Sequence, residues 1–173
     1  MLSEQLKKQL DKDRADDIET SVINRGDLQI YVRKERLVEL CKCLISDTNL
    51  KFNFLSMITA ADYLGKREKR FDVVYSLYSI DYRHRVMLKI MLSENEDAPS
   101  LTGLWDTANW QEREVFDMFG IKFTGHPDLR RVLMDDDWVG YPQRKDFPLT
   151  YEMPEFSHNR GKAQLHDTNP ERQ

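Results

Sequence analysis

Apolar residues recur along this chain in several rhythms, and each rhythm predicts a different element. Leu2, Leu6 and Leu10 repeat every four residues among lysines and aspartates. That spacing predicts a polar helix over Ser3 to Ile18 whose narrow apolar stripe lies on the domain surface. Leu37, Leu40, Cys41, Leu44 and Ile45 fall on one face between Lys34 and Ile45, which predicts a second helix packed on a core. Between them, Glu19 to Asn24 and Leu28 to Val32 read as short strands around the turn-forming cluster Asn24-Arg25-Gly26-Asp27. A β section follows: the Phe-rich run Lys51 to Ala61, a loop through Gly65, then Phe71 to Ile80 and Arg85 to Leu92. Phe71, Val73, Tyr75 and Leu77 alternate with Val74, Ser76 and Tyr78, while Val86, Leu88, Ile90 and Leu92 share one face. The tight polar connection Asp81 to His84 makes the last two strands antiparallel neighbours. The predicted fold class is α+β: two layers, a mostly antiparallel sheet with helices packed on it, then an extended C-terminal tail.

A short helix over Ser100 to Asp106 is expected to lead into the densest stretch, Ala108 to Leu149. Asn109 is placed to cap a helix, with Glu112 three residues on to close a capping box. Glu112 and Glu114 lie in the first turn, where the helix dipole favours negative charge. Arg113 and Asp117 are spaced as an ion pair, Val115, Phe116 and Phe119 as an apolar stripe, and Gly120 as a C-cap. Then come His126-Pro127, Arg130-Arg131, Asp135 to Asp137 and Gly140-Tyr141-Pro142, too irregular for one amphipathic element. From Gly140 onward, Pro142, Pro148, Pro154 and Pro170 punctuate a segment poor in periodic apolars. It divides the chain into a globular domain, 1–139, and a partner-binding tail, 140–173. The part after Leu149 has an extended reach on the order of 75 Å.

A chain of 173 residues with 40% hydrophobic and 32% charged content suits one such domain, burying roughly 70% of its unfolded surface. No stretch approaches the roughly 20 apolar residues of a membrane span. The mixed-charge N-terminus lacks the pattern of an export signal. Two cysteines make no disulfide framework, so a reducing, cytoplasmic setting is expected. A net charge of −4 argues against a dedicated nucleic-acid binder.

The search for chemistry is mostly negative. Cys41 and Cys43 are two residues apart on a helix and point in different directions, so they do not grip one metal, and an iron–sulfur cluster usually takes four thiolates. His84, His126, His158 and His166 lack metal-site spacing, and His126 before Pro127 reads as structural. No glycine-rich phosphate loop is present for NADH or FMN. Glu112 and Glu114 face different ways, so they read as a cap and an ion-pair network, not an acid/base pair. Asp135 to Asp137 read as a solvated acidic turn, and the basic clusters Lys66 to Arg70 and Arg83 to Arg85 as solvated hairpin loops. No catalytic, cofactor-binding or metal-ligating residue emerges. The interface candidates are Arg130, Arg131, Arg144, Lys145 and Asp146 beside Trp138, Tyr141 and Phe147, because arginine mixed with aromatics is what binding hot spots enrich for. An internal structural role for those charges stands beside the partner-facing one.

One run of residues carries a resemblance. Asn109-Trp110, Glu112-Arg113-Glu114, Asp117, Phe119-Gly120-Ile121, Gly125 through Arg131 and Gly140 through Leu149 resemble the 30-kDa-subunit family of respiratory complex I. Asn109, Glu112, Arg113, Glu114, Asp117, Gly120, His126 and Pro127 form its structural signature here. The segments Thr59 to Tyr63 and Phe71 to Leu92 match more loosely, and Gln143 departs from the expected leucine or phenylalanine. The resemblance implies a cofactor-free scaffold in the peripheral arm of a proton-translocating NADH:quinone oxidoreductase. FMN, Fe-S clusters, NADH and quinone would then belong to other subunits. Implied partners are the 49-kDa-type quinone-site subunit and the terminal-cluster subunit, on the cytoplasmic side of the inner membrane. The alternatives are the equivalent subunit of a membrane-bound hydrogenase or photosynthetic NDH-type complex, and a stand-alone enzyme using the carboxylates near Glu112.

Overall fold

The computed structural model describes residues 3–14 and 17–148. Helix α1 (Ser3–Asp13) precedes a hairpin of β1 (Ile18–Asn24) and β2 (Asp27–Val32). A 3-10 turn (Lys34–Arg36) runs into α2 (Leu37–Ser46). Strands β3 (Phe54–Asp62), β4 (Phe71–Ser79) and β5 (His84–Leu92) form the predicted meander, antiparallel throughout. The five-stranded order is β1-β2-β5-β4-β3. Strand β2 lies parallel to β5, with Leu28 beside Val86 and Ile30 beside Leu88. Parallel neighbours need a crossover, and α2 with the β3–β4 hairpin supplies it. The architecture is therefore α+β, with a mixed but mostly antiparallel sheet.

Alternation along β4 decides which face is the core. Phe71, Val73, Tyr75 and Leu77 are fully buried, as are Val86, Leu88, Ile90 and Leu92 on β5. Leu40, Cys41 and Leu44 of α2 and Leu6 and Leu10 of α1 join the same core, so the narrow stripe of the first helix docks on the domain as its spacing predicted. Residue Leu2 of that stripe lies outside the described residues.

After β5 the chain departs from expectation. Ser100 to Asp106 forms turns, not a helix, with the Leu104 and Trp105 amides both donating to the Leu101 carbonyl. So short a segment cannot offset helix nucleation, and the Leu101 amide is drawn away by a buried carboxylate. Two short strands, β6 (Ala98–Pro99) and β7 (Phe123–Thr124), pair in parallel and clasp the two ends of this unit. Between them runs α3 (Ala108–Phe119), which packs on β3. Asn109 is not its cap. The Ala108 and Asn109 amides already donate to Trp105 and Asp106, and the cap position, Thr107, has helical angles and no side-chain cap bond. Gly120 does end α3 as predicted, at φ +74° with its amide on Phe116.

Candidate functional site

Three buried carboxylates organise the densest stretch of sequence. Asp117, in the last turn of α3, is fully buried. Its Oδ2 accepts the consecutive amides of Val132, Leu133 and Met134 at 3.0, 2.7 and 2.9 Å, and Oδ1 accepts Arg131 Nη1 at 2.6 Å. Burial pushes this carboxyl upward, but the three amides and Arg131 outweigh it and hold the pKa below the usual carboxylate range. The expected Arg113–Asp117 pair is absent because Asp117 turns inward to these donors. Arg113 instead gives Nε and Nη2 to the carbonyls of Arg130 and Arg131, both at 3.1 Å. Arg131 also reaches the Gly140 carbonyl at 3.0 Å. The loop after α3 is thereby tied to it at both ends.

Arg70, only 5% exposed, is the second centre. It grips both oxygens of Asp62 at 3.0 and 2.8 Å, both oxygens of Asp146 at 2.7 and 3.1 Å, and Glu94 at 2.8 Å. Burial raises the Asp62 pKa, yet Arg70 and the amides of Lys145 and Leu64 hold it down at about 2. The Lys66–Arg70 cluster is thus not a purely solvated loop. Arg70 is spent in the interior, and Arg67 pairs with buried Asp72 while lying over the Tyr63 ring. Arginine suits this role because its planar fork serves several carboxylates at once.

Residues Tyr141 to Phe147 run from one centre to the other as a strap. The Gln143 amide and Arg144 Nε cap the last carbonyls of α3, on Met118 and Phe119. Arg144 also lies over the Tyr141 and Phe71 rings, and the Lys145 amide reaches Asp62 at 2.9 Å. Tyr141 packs edge-on to Phe116 and covers Gly120, while Phe147 stacks on Trp138. The stretch 140–148, which composition groups with the tail, is therefore fastened to the domain. The remainder, 149–173, lies outside the described residues. Among the predicted interface residues, Arg131, Trp138, Tyr141, Arg144 and Phe147 are half-buried, Asp146 is held by Arg70, and Arg130 and Lys145 are exposed. Asp135, Asp136 and Asp137 are exposed in a turn.

Glu112 is the third carboxylate. It is fully buried, with Oε1 on the Leu101 amide and Oε2 on the Ser100 hydroxyl, both at 2.7 Å. It closes no capping box, because α3 begins earlier and its side chain faces the sheet. Burial pushes its pKa up to about 7, against the pull of the Leu101 and Ser100 donors. Exposed Glu114 does not share this site. His126 is structural: Nδ1 accepts the Asp128 amide and Nε2 donates to the Asn109 carbonyl. Cys41 is buried, with its thiol pKa pushed up by that burial, and Cys43 is half-buried. No cluster of His, Cys, Asp and Glu among the described residues is arranged to hold a metal. Sequence reasoning missed Asp62 and Arg70 because the strap residues they bind are distant in the chain: Asp146 stands 76 residues from Arg70, and Lys145 83 from Asp62. It also passed over Trp110 and Leu133, 62% and 58% exposed, since a helical stripe does not reveal a lone outward aromatic.

Fold and site together define a class: a small α+β domain in which buried charges lock the last helix, the loop after it and the strap together. The chain matches the family described as respiratory-chain NADH dehydrogenase, 30 Kd subunit, over residues 30–153, and it belongs to that family. The C subunit of the NADH-quinone oxidoreductase of Roseiflexus sp. (strain RS-1) is 53% identical over 143 residues, covering 82% of each chain. A trypsin-resistant fragment (1-134) of Nqo5 superposes with a TM-score of 0.63 at 36% identity, over 72% of this chain and 99% of that one. A chain of an archaeal membrane-bound sulfane sulfur reductase shares the fold, with a TM-score of 0.65 at 22% identity over 95% and 92% of the two chains.

Proposed function

We propose that this chain is a scaffold subunit of the peripheral arm of a proton-translocating NADH:quinone oxidoreductase. It binds no cofactor itself, and its domain and C-terminal segment hold the quinone-site subunit and the terminal-cluster subunit in register. FMN, Fe-S clusters, NADH and quinone are handled by other subunits of the complex, on the cytoplasmic side of the membrane. The chain's own contribution to the reaction is position. Among the described residues no helix is long and apolar enough to cross a membrane, which fits attachment through the complex.

The observation that carries this reading is the strap. Asp146, Lys145, Arg144 and Gln143 are all tied to α3 or the sheet, so the segment that follows them starts from a fixed point. A rigid departure point lets a following segment reach a neighbour without losing registry, since less conformational entropy remains to be lost on docking. The test is native mass measurement of the gently extracted particle with full-length chain and with a chain ending at Leu149. Full-length chain is expected in a multi-subunit particle, and the truncated chain is expected to melt as full-length does yet assemble poorly. Recovery of the full-length chain only as a 20.6 kDa monomer would refute the scaffold role.

A further inference from the structure

Trp110 is the most exposed large apolar side chain among those on the described surface, at 62%. It lies one helical turn before Arg113, whose guanidinium carbon sits 4.8 Å from the Trp110 ring centre. Arg113 is anchored through two of its donor atoms to the carbonyls of Arg130 and Arg131, so it is held in place and not swept by solvent. Leu133, 58% exposed, follows on the loop that Asp117 pins to the next turn of α3. Solvent-facing tryptophan and leucine beside an immobilised arginine cost little ordering entropy when a partner arrives.

Two of the three arginines on this face are held in ion pairs. Arg130 is committed to both oxygens of Asp128, and Arg131 to Asp117. Asp128 acts on Arg113 through space, but its oxygens are taken by Arg130. Among the described residues Arg113 makes no ion pair within salt-bridge distance: its hydrogen bonds go to the two backbone carbonyls, and its face lies on the Trp110 ring. A guanidinium with no carboxylate in contact, next to an open aromatic face, is complementary to a carboxylate flanked by an apolar side chain.

We propose that Trp110, Arg113 and Leu133 form a docking surface for a neighbouring subunit that presents an aspartate or glutamate beside a large apolar side chain. This rests on the reading of the chain as a subunit of a larger assembly. The carboxylate meets the N–H groups of Arg113, and the apolar group covers the outer face of Trp110 and Leu133. The surface is separate from the strap and from the segment that follows it, so it supplies a second point of attachment and fixes the domain's rotation.

The experiment places a benzophenone amino acid at position 110 of the full-length chain within the assembled complex, with the same probe at Ile80 as a control. Ile80 is 59% exposed, on the β4–β5 turn. Cross-linking from position 110 to another subunit, at a peptide with an acidic residue within a few positions of the adduct, is expected. Trp110→Ala, which removes a side chain that is 62% exposed, should keep the melting temperature while weakening assembly roughly tenfold or more. Position-110 adducts only to a second copy of this chain, to lipid, or to a peptide without acidic residues overturn the proposal. So does a Trp110→Ala chain that assembles like wild type. A wild-type chain that never co-purifies with other subunits overturns the scaffold reading and this surface with it. A wild-type complex that forms normally while probe 110 stays silent overturns this surface alone.

Discussion

Substituting Gly120 with alanine tests whether the strap is held by shape as well as charge. Gly120 sits at φ +74°, and a Cβ there comes within 2.5 to 2.7 Å of three atoms of the Tyr141 ring. The left-handed backbone alone costs about 1 kcal/mol for a residue with a Cβ. Displacing Tyr141 then sacrifices its edge contact with Phe116 and its place beneath Arg131 and Arg144. Aromatic and cation–π contacts of this kind contribute about 0.5–1.5 kcal/mol each, which brings the expected loss to about 3 kcal/mol. For a domain of this size that is a fall in Tm of roughly 6–12 °C. Thermal and urea melts of the full-length chain measure it, alongside Tyr141→Ala and the double variant. With the ring gone, the steric part of the Gly120→Ala penalty disappears, so the two changes should be strongly non-additive. A Gly120→Ala melt within about 2 °C of wild type, or simple additivity with Tyr141→Ala, would falsify the account of Tyr141 as a lid on Gly120.

Other expectations follow from the buried charges. Arg70→Met leaves Asp62 buried without its counter-ion and should cost about 3–5 kcal/mol. It should also free the Lys145 amide to exchange, and unchanged exchange protection there would contradict the role given to this centre. Asp117→Asn should destabilise at pH 7 through loss of its charge-assisted bonds. Because the folded pKa of Asp117 is depressed, its contribution is present above the unfolded value near 4 and is lost as pH falls through the folded one, so the two proteins should converge in acid. A stability gap that does not change with pH would rule that out. Glu112 has the opposite sign. Its folded pKa of about 7 lies above the unfolded value, so its favourable contribution is complete below about pH 4.5 and disappears as pH rises towards 7. Glu112→Gln should therefore gain relative to wild type by about 3 kcal/mol between pH 4.5 and pH 8, and a flat difference across denaturation curves in that range would sink the assignment.

Much of this protein was legible in one dimension. Alternation in Phe71 to Leu77 and Val86 to Leu92 specified two core strands, because side chains on a strand point to opposite faces whatever surrounds them. The spacing from Leu37 to Leu44 specified the helix that backs them, and Gly120 marked the end of α3 because only glycine adopts a left-handed cap without strain. The run from Asn109 to Leu149 also placed the chain in its family. What the sequence alone left open is how the charges pair. Arg113 and Asp117 have ideal helical spacing, yet each goes to a different segment, since three amides from the following loop converge on Asp117 only once that loop is folded back. Glu112 occupies a capping-box position and caps nothing, because burial against the sheet turns it toward Ser100 and Leu101. Arg70 and Asp146 meet across 76 residues, and no local pattern encodes such a meeting. Periodicity reports which face of an element is buried. Which donor satisfies a buried carboxylate depends on the packing of distant segments, and only the tertiary structure decides it.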